Sequence, residues 1–93
     1  MKTHPGKRDE VIAILLSGVE GLKTVGCQLY VVSKDRADAD LIWVHEVWDD
    51  AASHKASLQL PETRDAISRA LPMLTGEFTG VETEVVGGLG VSS

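Results

Sequence analysis

His45, Glu46 and His54 fall within ten residues of one another, around Trp48. A neutral imidazole accepts a proton near pH 7, so either histidine is a candidate general base. His54 precedes Ser57 by three residues, a spacing that puts both on one face of a helix. Ser57 or Tyr30 is then a candidate polar anchor for a ligand oxygen. Trp43, Trp48, Met73 and Phe78 are candidates for an apolar wall, since aromatic faces stack on planar rings. Glu46 interrupts an apolar run, and a buried carboxylate is costly unless paired. It is either half of an ion pair with Arg64 or Arg69 or an acid facing a pocket. Each candidate also has a packing role open to it. His54 reads equally as a half-exposed helical residue and His45 as a hydrogen-bonded packing histidine. The tryptophans can fill a core or an interface, and Tyr30 can hold its hydroxyl at the sheet rim.

Other chemistries find little support. Cys27 has no base or cation cluster near it in sequence and reads as a packed thiol. His4, His45 and His54 are far apart and no cysteine pair exists, so metal-ligand spacing is absent. Gly87-Gly88-Leu89-Gly90 opens no helix and makes no phosphate loop. The net charge is −5 with Lys and Arg scattered, against the concentrated basic face that nucleic acid requires. A lone cysteine gives no internal disulfide and fits a reducing compartment. The first residues lack the apolar core of a signal peptide, and no run reaches the ~20 apolar residues of a membrane span. A cytoplasmic protein is the expectation.

The elements that must position these residues follow from periodicity. Ninety-three residues make one domain with a thin core. Pro5 and Gly6 turn the chain into a helix, with Asp9 and Glu10 at its positive end and Val11, Ile12, Leu15, Val19 and Leu22 at helical spacing. Gly18 and Gly21 weaken its far end. Residues 26–33 and 41–48 read as strands of an antiparallel hairpin. Asp49 or Asp50 caps a helix running to about Leu60. Pro61 suits the first turn of another helix, striped by Ala66, Ile67, Ala70, Leu71 and Leu74, and Pro72 ends or kinks it. Glu77 to Val86 alternates as a last strand, and residues 87–93 read as a loose tail. The order is that of an α+β ferredoxin-like βαββαβ fold whose first, central strand is short or missing. Residues 1–5 are its only remnant. Two helices cover one face of the sheet.

Pro5-Gly6-Lys7-Arg8-Asp9-Glu10, Gly26-Cys27 and Glu46-Val47-Trp48 together resemble the antibiotic biosynthesis monooxygenase (ABM) family, most of all its quinol-monooxygenase-like members. The resemblance covers about residues 5–86. It implies a homodimeric α+β barrel with a pocket between sheet and helices. It implies O₂-dependent oxidation of quinols, anthrones or related phenols without flavin, haem or metal, hence no cofactor. Many members carry histidines where this chain has Ser57 and Glu62, and a pocket asparagine on the first strand. Haem-degrading relatives carry Trp and His where this chain has Ser57 and Ile67, which argues against haem degradation. Two readings follow: a cofactor-independent monooxygenase acting on a small quinol- or anthrone-type aromatic, or a non-catalytic dimeric barrel that binds a small apolar ligand or serves as an interaction module. An isomerase of small oxygenated metabolites, also found on this fold, would need a more polar pocket.

Overall fold

The computed structural model describes residues 1–91. Its centre is a hairpin of β1 (Cys27–Lys34) and β2 (Ile42–Trp48), the two segments richest in β-branched and aromatic residues. They pair antiparallel, with Val32 opposite Val44 and Tyr30 opposite Glu46. The register slips between Cys27 and Leu29. Just before β1, Gly26 takes φ +99°, where a Cβ would sit 2.9 Å from the Ser53 side chain. Only glycine fits there without strain. Its carbonyl accepts the Asp49 N–H at 2.8 Å, tying the two ends of the hairpin together.

Four helices accompany the hairpin: α1 (Arg8–Leu16), α2 (Val19–Leu22), α3 (Ala51–Ser57) and α4 (Pro61–Ala70). The single first helix expected from periodicity breaks at Ser17–Gly18, where the Ser17 hydroxyl donates to the Ile14 carbonyl at 2.6 Å. A hydroxyl bonded back onto its own turn, followed by a residue with no Cβ, ends a helix readily. Pro61 occupies the first turn of α4, and Pro72 lies in the short 3₁₀ turn that follows it.

Val11 and Ile42 are fully buried and meet Ala70, with Ile12, Leu15, Val32, Val44, Met73 and Leu74 packed around them. The core therefore lies between the helices and one face of the hairpin. The other face leaves Val31, Trp43 and His45 exposed. The loop between the strands is held from α1: one Nη of Arg8 lies 3.1, 2.9 and 3.3 Å from the carbonyls of Asp35, Asp38 and Leu41 and donates into that cluster.

Met1–Thr3 forms a short extra rung beside β2. Met1 exchanges hydrogen bonds with Ile42, its ammonium donating at 2.8 Å and its carbonyl accepting at 2.9 Å. Lys2 bridges Leu41 and Thr3 bridges Leu74, both antiparallel. The stub thus sits between the start of β2 and the chain leaving α4. One expectation fails. Residues 77–86 do not form a strand; Phe78, Val81 and Val86 are 62%, 87% and 88% exposed. Their alternation is real, but among the described residues no strand lies beside them. A strand needs a hydrogen-bonding partner as well as a pattern. Among the described residues no helix is long and apolar enough to cross a membrane.

Candidate functional site

α3 folds back onto the end of β2 because Asp50 caps it. The Asp50 carboxylate accepts the Ser53 N–H at 2.7 Å, which holds its pKa below the usual carboxylate value. This capped turn brings His54 over Trp48, with ring centroids 5.2 Å apart and planes tilted by 40°. The Trp48 indole N–H donates to Glu46 Oε1 at 3.2 Å, and His54 Nε2 lies 3.9 Å from the same oxygen. That last distance suits an ion pair with imidazolium and is too long for a hydrogen bond. Tyr30 stands opposite Glu46 in the register. Four side chains from three elements thus share one patch.

The patch walls an open cleft of about 1030 Å³ between sheet and helices. Small-molecule pockets usually measure ~300–1,000 Å³, with a few polar groups on an apolar lining. Here Leu15, Leu22 and Val25 close one side, Leu58 the next, and Ala66, Ile67 and Leu71 the third. Burial first, then the charges of Glu46 and Cys27, pushes the Tyr30 hydroxyl up to about 12. It stays protonated as a donor and has no hydrogen-bond partner among the described residues.

His54, Glu46, Trp48, Tyr30, Ser57 and Phe78 all line this cleft. His45, Trp43 and Met73 do not. Side chains alternate across a strand, so His45 and Trp43 are carried to the opposite, exposed face. Trp43 donates its indole N–H to Asp35 at 2.9 Å and borders a second hollow of about 560 Å³ with Lys2 and Phe78. Met73 packs against the core. Glu46 faces Trp48 and His54 instead of Arg64 or Arg69, and Arg69 pairs with Asp65 at 3.0 Å. Ser57 is buried, and its hydroxyl donates to the His54 carbonyl at 2.6 Å, leaving it only acceptor capacity toward a ligand.

Sequence reasoning missed Leu22, Val25 and Leu58 as wall residues. It also took Ile67 and Leu71 for core. They continue the apolar stripe of α4 but stand 43% and 56% exposed, facing the cleft. Cys27 is buried, which raises its pKa, and its thiol donates to the Leu29 carbonyl at 3.3 Å. It behaves as a packed, unreactive group. Among the described residues no three His, Cys, Asp or Glu side chains gather as a metal site.

The sequence profile of the family described as antibiotic biosynthesis monooxygenase matches residues 1–69. The chain belongs to the antibiotic biosynthesis monooxygenase family. A crystal structure of a candidate antibiotic biosynthesis monooxygenase from Chloroflexus aurantiacus J-10-fl is 42% identical, covers 94% of this chain and 92% of its own, and superposes with a TM-score of 0.75. No curated protein matches significantly. The α+β ferredoxin-like fold is that of this family. Membership suggests a monooxygenase-like function.

Proposed function

We propose that this ABM-family protein oxidises a small quinol- or anthrone-type aromatic with O₂ and without a cofactor. The observation that carries this reading is the convergence of His54, Glu46, Trp48 and Tyr30 on one wall of an apolar cleft. The aromatic ring enters against Trp48 and the wall formed by Phe78, Leu58 and Ile67. Tyr30 donates a hydrogen bond to a substrate oxygen and Ser57 accepts one. His54 removes the acidic proton, and Glu46 stabilises the imidazolium that forms.

The substrate anion passes one electron to O₂, and the radical pair recombines as a peroxide. Loss of water then leaves the carbonyl. For an anthrone, CH₂ and O₂ become C=O and H₂O, so the substrate supplies every electron. The apolar wall keeps bulk water from the anion. The working unit in this proposal is a homodimer, in which a second copy covers the open sheet face bearing Val31, Trp43 and His45. A ligand-binding barrel without turnover is the other reading, and the Ser57 hydroxyl spent on the helix backbone favours it.

O₂ uptake by metal-stripped protein over a panel of quinols and anthrones tests the proposal. Turnover is expected to fall ~10²–10⁴-fold in His54→Ala and to persist in His45→Ala. No uptake with any substrate, alongside tight binding of the same aromatics, would overturn the catalytic reading in favour of the binding one.

A further inference from the structure

Glu46 and Trp48 stand two residues apart on β2, so the strand sends both side chains to one face. The indole N–H therefore reaches the carboxylate and donates to Glu46 Oε1 at 3.2 Å. Among the described residues this is the one hydrogen bond that the Glu46 side chain makes, and no lysine or arginine pairs with it. The side chain is 32% exposed. A glutamate turns about several bonds, and without a tether its carboxylate samples many positions at such a site.

The oxygen that Trp48 holds is also the one nearest His54. The imidazole lies over the same indole, with ring centroids 5.2 Å apart, and its Nε2 is 3.9 Å from Glu46 Oε1. One indole thus supports both groups, the imidazole with its ring and the carboxylate with its N–H. Their separation decides when the two meet. At 3.9 Å a neutral imidazole forms no hydrogen bond to Glu46. An imidazolium draws in toward about 2.8 Å, the length of a charge-assisted bond. The contact is made once the proton has arrived and not before. An interaction realised only then favours proton transfer without stabilising the resting state.

We propose, on the reading of His54 as the base, that Trp48 is a positioning residue: its indole N–H fixes Glu46 Oε1 where the carboxylate receives the His54 imidazolium. This is a task apart from stacking on the substrate, because another aromatic ring can replace the indole face but not its N–H. Trp43 is no substitute, since its N–H is held by Asp35 at 2.9 Å.

The other titratable and charged groups around the pair are occupied or stand elsewhere on the cleft. From β1, Tyr30 keeps its proton, and Cys27, opposite Trp48 in the register, remains a thiol. Asp49 accepts from the Gln28 amide at 2.9 Å. On α4, Arg69 pairs with Asp65 at 3.0 Å, and Glu62 lines the same wall. Lys55, beside His54 on α3, is exposed.

NMR titration of the His54 ring in the free protein provides the first test, because it needs no substrate. Trp48→Phe keeps an aromatic ring against His54 and removes the N–H. The titration midpoint is expected to fall by about 0.5 pH unit, since the imidazolium loses its fixed partner. Glu46→Gln keeps an acceptor for the indole and removes the charge, and should lower the midpoint as far. The double variant should fall no further than either single one, because both remove the same interaction. In O₂-dependent turnover, kcat of Trp48→Phe should fall about tenfold while KM for the aromatic changes less than about twofold. If Trp48→Phe folds poorly, the unaltered protein carries its own control: the Trp48 indole N–H resonance should move with the His54 titration, and that of Trp43 should not. Additive falls, an unchanged midpoint in Trp48→Phe, or a Trp48 resonance that ignores His54 would each overturn the proposal. Coupled titrations in a protein that turns over no substrate would support the positioning and remove only the oxidative reading.

Discussion

The two long edges of β2 make an instructive pair. On one side β1 satisfies every rung from Ile42 to Trp48, and its neighbours α1 and α4 bury Val11, Ile42 and Ala70. On the other side only Met1–Thr3 pairs, and residues 77–86 form no strand, leaving Val81 and Val86 exposed. Both flanks carry period-two sequences of good β-formers. The difference is a neighbour. Side-chain pattern fixes which face a strand shows, while backbone pairing decides whether it is a strand at all.

The largest test of this contrast is Ile42→Ala on the paired side. It should cost about 2–5 kcal/mol of unfolding free energy in a urea titration, because Ile42 is fully buried in a core of few residues. A loss under about 1 kcal/mol would mean that the hairpin is not where the stability lies.

Tyr30 sits at the border, on a paired strand but facing the cleft, and as the only tyrosine it titrates alone. Its phenolate absorbance should appear near pH 12 in the folded protein and near 10 in denaturant. The folded pKa is the higher, so above pH 10 the unfolded state releases its proton first. This contribution is complete below pH 10 and is lost as pH rises through about 12. Coincident titrations in the two states would show that the cleft wall at Tyr30 is wet.

The smallest effect is expected on the unpaired side. Val81→Ser should change unfolding free energy by no more than about 0.5 kcal/mol, since Val81 is 87% exposed. A cost above about 1 kcal/mol would erase the contrast by showing that this segment is packed.

What the sequence discloses follows the same division. The hairpin, the Asp50 cap and the Pro61 helix start were legible, because each rests on residues close together in the chain. The helix break at Ser17 was visible only as weakness at Gly18. The last strand was misjudged, since its fate depends on a neighbour far away in sequence. At the site, alternation along β2 carries Glu46 and Trp48 to one face and Trp43 and His45 to the other. Which face meets the helices depends on how α3 and α4 fold back. For the same reason the partners of Glu46, and the cleft-facing role of Ile67 and Leu71, were out of reach.

Arg8 adds a consequence for how the parts of the molecule move together. The β1–β2 contacts are local, and the connecting loop adds bonds of its own, the Asp35 N–H donating to the Leu41 carbonyl at 3.1 Å and the Leu41 N–H to the Asp38 carbonyl at 3.3 Å. A single planar cation at the start of α1 gathers three of the loop's carbonyls. The cation therefore fastens to the helix a loop that its own hydrogen bonds already shape. Helix and hairpin become one cooperative unit, and a change at Arg8 is read out in the kinetics of a loop some thirty residues away.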